Sequence, residues 1–349
     1  MSAFALVALL LASDGAAAGP ELLVVVNKSD DTVTVVDANS GVRRATVRVG
    51  RGPHEVEVLA DRKTAAVSNY GKAGEPGRTV TLVDVDRGVT LGTIDLGEGA
   101  RPHGLEALAD GKLLVTAEGT KELLVVDPTA RKVVARIPTG RDVSHMVVAP
   151  SDGKTAFVAS IGSGTVSAAD LGGAKIVKDL ATGAGAEGID VTPDGREIWV
   201  VNREANTVSV VDAMKLEVLA TLPAPKFPIR VKVTPDGKRA LVSCAQSGDV
   251  AVFDVKSRKE VKRIPMDREA VPGSEARVFS TRFGKSPVPV GLLVAPDGKR
   301  AWVASTNADV ISVIDLDKLE VVGRLTAGKE PDGLSGRWGQ GFTERRNDR

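Results

Sequence analysis

The chain has 349 residues, with 46 basic and 45 acidic side chains and a formal net charge of +1. This near-neutral balance argues against bulk electrostatic binding to nucleic acid or to an anionic membrane. Only 3% of the residues are aromatic while 37 are glycine, which is typical of many tight turns between thin aliphatic strands. The single cysteine, Cys244, excludes an internal disulfide.

The N-terminal residues predict a targeting segment. Residues 4–12 are apolar but too few to span a bilayer, and the three alanines at 16–18 offer a small-residue cleavage site. The basic start of an ordinary signal is missing, because no Lys or Arg precedes position 28. We predict a signal peptide at 1–18, a periplasmic or secreted location, no membrane span and a polar tail at 341–349.

An internal repeat fills the rest of the chain. Its anchor positions are His54, His103, His145, Glu187, Ile229, Val290 and Asp332. Successive anchors are 49, 42, 42, 42, 61 and 42 residues apart, so a 42-residue unit occurs seven times, with insertions of 7 (49−42) and 19 (61−42) residues. A period near 40 residues is typical of solenoids, propellers and arrays, which the structure inside one unit distinguishes.

The unit at 187–228 is the clearest example. Its predicted strands are 188–192, 197–202, 206–212 and 216–222. These segments are rich in valine and isoleucine, a Pro-Asp-Gly turn follows the first, and none has a helical period. Because one four-stranded sheet cannot bury both faces alone, the pattern predicts an all-β fold over residues 19–340. We expect a seven-bladed β-propeller of four-stranded antiparallel blades.

The two ends of the chain predict how the ring closes. Residues 22–27 match the second strand of a unit, whereas residues 332–338 match the first strand. We therefore predict a composite blade, with three strands from the N-terminus and one from the C-terminus. Closure of this kind leaves no open blade edge.

One aspartate recurs in each unit, at the end of its third strand. These aspartates are Asp37, Asp84, Asp127, Asp170, Asp212, Asp254 and Asp315. A residue that is present in every blade serves the blade, so we interpret these side chains as caps of the turn into the fourth strand.

The strand pairs carry a family resemblance. Second strands ending in Val-Val-Asn27, Val-Ser-Asn69 and Val-Val-Asn202, followed by third strands such as Thr-Val-Ser-Val-Val-Asp212, resemble the YVTN family of β-propeller repeats. The resemblance covers roughly residues 22–338. It implies a propeller of the kind found in secreted, periplasmic and surface-layer proteins. It leaves function open, since the family includes binding propellers and related propellers carry metal or haem centres.

The anchor column contains all three histidines of the chain. Three histidines and Glu187 fall on four consecutive blades, with Asp332 on the adjoining composite blade. The column begins the innermost strand at the channel mouth, where neighbouring strands lie ~5–8 Å apart. Imidazoles from adjacent blades can therefore converge on one ion. The hydrophobic residues Ile229 and Val290 indicate that the residue type at this position changes in blades where the position has no role.

We predict a transition-metal site (Zn, Fe or Cu) formed by His54, His103, His145 and Glu187. Carboxylate ligands favour Zn or Fe(II) over Cu(I). In the alternative, the same histidines line the channel and hydrogen-bond to water or backbone.

The two insertions point to the same face of the propeller. They lie within 70–78 and 266–289, and connections of both types emerge where the anchor column opens. Arginines on or near the longer insertion predict a cationic rim suited to a small-molecule anion or an acidic protein partner. The predicted ligand-binding residues are Asp332, Arg230, Arg282, Tyr70 and Arg203. In the alternative, the loop is only a solvated surface segment.

Three functions stay open at this point, each with the chain expected as a monomer. The first is a secreted binding protein with a His-rich site. The second is a metal-dependent enzyme (lyase, hydrolase or oxidase), with Glu187 as ligand or general base and Arg230 or Arg282 as substrate anchor. The third is a protein–protein interaction scaffold. The scarcity of aromatic residues argues against nucleic acid as a ligand.

Overall fold

The computed structural model describes residues 21–266, 274 and 280–339. The signal peptide predicted at 1–18, the polar tail predicted at 341–349 and most of the longer insertion lie outside these residues. Within the described part, no helix has the length and apolar character needed to cross a membrane.

The described residues form seven four-stranded antiparallel sheets arranged as blades. Blade I contains β1 (Leu22–Asn27), β2 (Thr32–Asp37) and β3 (Arg43–Arg48). Blade II contains β4 (Pro53–Val58), β5 (Thr64–Lys72), β6 (Glu75–Asp84) and β7 (Val89–Asp95). Blade III contains β8 (Pro102–Ala107), β9 (Leu113–Ala117), β10 (Glu122–Asp127) and β11 (Lys132–Pro138). Blade IV contains β12 (Ser144–Val148), β13 (Thr155–Ser160), β14 (Thr165–Asp170) and β15 (Lys175–Ala181).

The remaining blades follow the same order. Blade V contains β16 (Ala186–Val191), β17 (Glu197–Asn202), β18 (Thr207–Asp212) and β19 (Glu217–Pro223). Blade VI contains β20 (Pro228–Val233), β21 (Arg239–Cys244), β22 (Asp249–Asp254) and β23 (Lys259–Pro265). After a single helical turn, α1 (Ser280–Phe283), blade VII contains β24 (Pro289–Val294), β25 (Arg300–Ser305), β26 (Val310–Asp315) and β27 (Glu320–Thr326). The last strand, β28 (Pro331–Arg337), returns to blade I. The predicted seven-bladed propeller is confirmed.

The ring closes as the sequence predicts. Strand β28 pairs antiparallel with β1, and Val25 lies opposite Leu334 in their register. The resulting sheet order is β28-β1-β2-β3, so blade I takes three strands from the N-terminus and one from the C-terminus. Trp338, just after β28, lies 5.4 Å from the Trp302 ring of blade VII and adds an aromatic contact at this junction.

Burial explains why these sequences form blades. The middle strands are almost continuously buried, because both faces of each blade pack against neighbouring blades. Between blades V and VI, for example, Trp199 and Phe253 share one apolar cluster with Val231 and Val242. The outer strands alternate, with exposed positions facing solvent. Radial packing of aliphatic side chains therefore supplies the core.

The recurring aspartates have the predicted structural role. Asp37 accepts hydrogen bonds from the backbone N–H groups of Asn39 and Ser40. Asp212 accepts equivalent bonds from Met214 and Lys215, 2.9 and 2.8 Å away. Each carboxylate thus caps a hairpin turn into the fourth strand.

Candidate functional site at the channel mouth

A β-bulge places every anchor residue at the end of the channel. In blade II, Pro53 pairs with Asn69 and Val56 with Val67, so His54 and Glu55 together face the single residue Ser68. The same register shift occurs after the first residue of β8, β12, β16, β20 and β24, and between Pro331 and Leu334 in β28. Because a bulge turns a side chain out of the regular alternation, the repeat aims seven anchor side chains at one mouth.

The residue after the anchor controls how closely the inner strands approach. Four blades have glycine there, namely Gly104, Gly188, Gly291 and Gly333. A Cβ atom at Gly291 would lie 1.9 Å from the Asp332 carbonyl oxygen, and one at Gly188 would lie 2.5 Å from that of Ile229. Side chains therefore occur in this column only where the backbones leave space. Two of them, Glu55 and Arg230, project into the site.

The three histidines come together as predicted. The rings of His103 and His145 stack with centroids 3.6 Å apart, and the His54 ring meets His103 edge-on at 5.1 Å. Tyr70, from the extended hairpin of blade II, lies 4.4 Å from the His54 ring and 5.4 Å from the His103 ring. Four rings from blades II to IV thus cover one side of the mouth.

His145 lies between two carboxylates. Its Nδ1 is 2.5 Å from Glu118 Oε1, and its Nε2 is 3.3 Å from Glu187 Oε1. Burial opposes protonation, but the bonds and charges of Glu118 and Glu187 prevail and raise the pKa of His145 above its usual 6.5. Glu118 also accepts a 2.6 Å hydrogen bond from the Tyr70 hydroxyl. The two carboxylates therefore stabilise the protonated form of His145.

The other two histidines are neutral. Burial and the charge of nearby His145 hold the pKa of His103 well below 6.5. His103 is 3% exposed, and its Nδ1 has no hydrogen-bond partner among the described residues. Burial and the charge of Lys28 lower the pKa of His54 to about 4. His54 Nδ1 lies 2.9 Å from the Gly52 carbonyl, to which it donates, and the lone pair remains on Nε2.

One group of side chains has the spacing of a metal site. Ligand atoms of His103, Glu118 and His145 all lie within 4.8 Å of one another, and all three residues are buried. The predicted ligands His54 and Glu187 lie next to this group. The His54 ring contacts the His103 ring, and Glu187 contacts Nε2 of His145, the nitrogen that does not face Glu118. The structure thus brings the four predicted residues together and adds Glu118, which the sequence analysis did not identify.

Buried ion pairs lie next to the histidines. Arg230, from blade VI, contacts Glu55 on blade II, three blades away across the channel, and lies 3.3 Å from Glu187. Burial opposes the charge of Arg230, yet Glu55 and Glu187 raise the pKa of its guanidinium above its ordinary value. The predicted ligand Asp332 lies 3.2 Å from Lys28, and its Oδ1 has no hydrogen-bond partner in the described part.

Arginines also surround the mouth at its rim. Arg203 donates to Glu187 at 2.8 Å, and its guanidinium lies 5.3 Å from the Phe227 ring centroid. Arg282 lies in the segment 266–289 that contains the longer insertion, and its guanidinium is 4.7 Å from the centroid of the same ring. All five predicted ligand-binding residues (Asp332, Arg230, Arg282, Tyr70 and Arg203) therefore lie at or around this end of the channel, in contact with its charged or aromatic groups.

Packing explains why two of the anchor positions hold hydrophobic residues. Ile229 and Val290 pack with Phe227 and Phe283 in one buried apolar cluster, which also contains Ala245 and Val288. Phe283 belongs to α1, at the end of the longer insertion. Ile229 and Val290 pack against Phe283 at the end of the longer insertion. The inference from the sequence, that these two positions vary because they have no role, is therefore wrong.

A second repeat column supplies the residues that the sequence analysis missed. It is the position directly after the second strand in six blades, and in blade II it lies within the longer β5; its occupants are Lys28, Tyr70, Glu118, Ile161, Arg203, Ala245 and Thr306. Five of these seven side chains are polar, and Glu118 and Lys28 contact the histidine and aspartate of the anchor column. Comparing this column across the repeats would have identified both residues.

Comparisons with known proteins agree with the fold. Residues 110–273 match the family described as YNCE-like beta-propeller, whereas the sequence resemblance was to YVTN repeats. No curated protein matches the sequence.

Three solved structures illustrate the likeness. Kuenenia stuttgartiensis hydrazine synthase is 21% identical with a TM-score of 0.68, covering 81% of this chain and 89% of its own. A functionally unknown protein from Desulfotomaculum acetoxidans is 13% identical with a TM-score of 0.73, covering 90% and 98%. The dihydro-heme d1 dehydrogenase NirN, in complex with DHE, is 16% identical with a TM-score of 0.63, covering 90% and 74%. At these identities the likeness concerns the fold alone: the chain is a seven-bladed β-propeller.

Proposed function

We propose that this protein is a periplasmic or secreted binding propeller that holds a divalent transition-metal ion, Zn²⁺ or Fe²⁺, at the mouth of its channel. His103, His145 and Glu118 are the ligands, and His54 is the adjacent fourth donor. The observation that carries the proposal is the cluster of three buried donor side chains within 4.8 Å, on blades III and IV.

The distances suit an ion of this size. Donor atoms bound at ~2.0–2.1 Å in a tetrahedral site lie ~3.3 Å from one another. His145 Nδ1 and Glu118 Oε1 are 2.5 Å apart and share a proton. An ion that replaces this proton requires the pair to separate by less than ~1 Å. His103 Nδ1, which has no partner among the described residues, is free to supply the third bond.

The surrounding groups are those that orient metal ligands. Glu187 lies at His145 Nε2, opposite the nitrogen that faces Glu118, so it fixes the ring and increases its basicity. Tyr70 donates to the second oxygen of Glu118. The Gly52 carbonyl fixes the tautomer of His54 and leaves its Nε2 as a donor atom. Metal ligands in proteins are usually oriented by hydrogen-bond partners of this kind.

Burial favours an ion over an organic molecule within the ligand cluster itself. His103, His145 and Glu118 are 3%, 7% and 7% exposed, so their own side chains fill this end of the channel. Two imidazoles and one carboxylate favour Zn²⁺ or Fe²⁺ over the soft Cu⁺ ion, which prefers sulfur ligands.

Metal analysis of untagged protein tests the proposal. We expect close to one Zn²⁺ or Fe²⁺ per chain after purification, or saturable Zn²⁺ binding by isothermal titration calorimetry. The double variant His103→Ala/His145→Ala should lose this binding, and Glu118→Gln should weaken it at least tenfold. Glu217→Gln, on the exposed outer strand of blade V, is the matched control. The proposal is refuted if the wild type shows neither copurified metal nor saturable Zn²⁺ binding, or if binding is unchanged in the double variant.

A further inference from the structure

Three arginines around the mouth lie over aromatic rings. The Arg101 guanidinium is 4.2 Å from the centroid of Tyr70, and those of Arg203 and Arg282 are 5.3 and 4.7 Å from that of Phe227. A guanidinium near an aromatic ring is held by a cation–π contact, and the fork of its N–H groups matches a carboxylate or a phosphate.

Two of these arginines have donors to spare. Arg101 is exposed, and its guanidinium lies over the Tyr70 ring. Arg203 gives one nitrogen to Glu187, but its buried Nε has no hydrogen-bond partner in the described part of the chain. Glu204 lies 3.9 Å from that Nε, too far for a hydrogen bond.

Both arginines adjoin the histidine cluster. Arg101 lies over the Tyr70 ring, and Arg203 donates to Glu187, which contacts His145. Tyr70 is in turn hydrogen-bonded to Glu118 and lies beside the His54 and His103 rings. Each guanidinium is therefore one residue away from the histidine cluster, Arg101 beyond Tyr70 and Arg203 beyond Glu187.

We propose that Arg101 and Arg203 bind the carboxylate or phosphate group of a small molecule at the channel mouth, next to the histidine cluster. This inference deepens the proposed function, because the oxyanion would complete the coordination of the ion. Its recognition residues are different from the metal ligands, so each idea can fail alone. Bidentate hydrogen bonds between an arginine and a carboxylate or phosphate are among the strong hydrogen bonds in proteins.

Calorimetric titration of inorganic phosphate and of succinate into the full chain, with and without Zn²⁺, tests the inference. We expect at least one anion to bind wild-type protein, and Arg101→Gln to weaken that binding about tenfold or more. Arg101→Lys should restore part of the affinity, since lysine keeps the charge but loses the planar fork. Arg87→Gln, at an exposed turn of blade II, is the matched control and should bind as the wild type does.

The outcomes separate the two proposals. If neither anion binds in either form, or if Arg101→Gln binds as well as the wild type, the oxyanion site is refuted while Zn²⁺ binding still stands. If an anion binds in an Arg101-dependent manner and Zn²⁺ does not bind, the metal site fails and the oxyanion site survives. The anion with the higher affinity identifies the ligand as a carboxylate or a phosphate.

Discussion

The channel mouth has a polar half and an apolar half built on the same backbone. Blades II to V present His54, His103, His145 and Glu187, whereas blades VI and VII present Ile229 and Val290. Every blade has the same bulge, so the difference lies in the side chains alone. The polar half collects buried charges and donor atoms, and the apolar half anchors the returning insertion on Phe227 and Phe283. A uniform repeat can thus divide one surface into a binding region and a supporting region.

The largest expected effect comes from the ion pairs that join Arg230 of blade VI to carboxylates of the polar half. Arg230→Met should destabilise the protein by about 3–5 kcal/mol, because Glu55 and Glu187 would remain buried without their cation. Chemical denaturation measures the change. The double variant Arg230→Met/Glu55→Gln should recover part of the loss. A single variant as stable as the wild type would contradict the bridging role.

The apolar half should respond to loss of volume and leave metal binding unchanged. Phe283→Ala removes a ring that is 8% exposed and should cost about 3 kcal/mol. Its Zn²⁺ affinity should stay within about twofold of the wild type, since the ring packs with Phe227, Ile229 and Val290 in the apolar cluster. The same denaturation and calorimetry experiments apply. Loss of Zn²⁺ binding in this variant would show that the two halves are not independent.

Added metal should stabilise only proteins with an intact polar half. At a free Zn²⁺ concentration 100 times the dissociation constant, the free energy of unfolding should rise by about 2.7 kcal/mol. Thermal unfolding with and without a chelator measures this shift. Phe283→Ala should show the full shift and His103→Ala none. An equal shift in both variants would mean that Zn²⁺ binds elsewhere.

The smallest expected effect is an acid dependence carried by His54 in metal-free protein. Its folded pKa of about 4 lies below the unfolded value near 6.5, so its contribution to stability is complete above pH 6.5. That contribution falls as the pH drops from 6.5 towards 4, because the unfolded chain takes up a proton that the folded site resists. His54→Asn keeps a donor for the Gly52 carbonyl but cannot titrate.

Between pH 7.5 and 4.5, wild-type protein should lose roughly 2 kcal/mol more stability than His54→Asn. Denaturation curves at the two pH values measure the difference. Parallel losses in the two proteins would show that His54 is not buried in its neutral form.

Much of the candidate site was accessible from the repeat. The anchor column predicted that His54, His103, His145 and Glu187 would meet, because a fixed position in the unit fixes a place in the ring. The partners of these residues were harder to predict. Glu118 belongs to a different column and reaches His145 on the next blade, 27 residues further along the chain. Arg230 reaches Glu55 across the channel, 175 residues away.

Ile229 and Val290 show the limit of reading a column by itself. In the sequence they look like positions without a role, since hydrophobic residues replace histidine and glutamate. In the structure they contact Phe283, which follows an insertion that occurs in one repeat only. A unique insertion has no counterpart in the other units, so periodicity contains no information about where it packs.

The sequence by itself determined the number of blades, the composite closure and the column that opens at the channel mouth. These features follow from the 42-residue period and from strand alternation, which are local and repeated seven times. Only the tertiary structure decided which carboxylate faces which imidazole, which histidine is charged and which donor atom lacks a partner. Those properties depend on contacts between blades and on burial, because the charge of each group is set by what surrounds it.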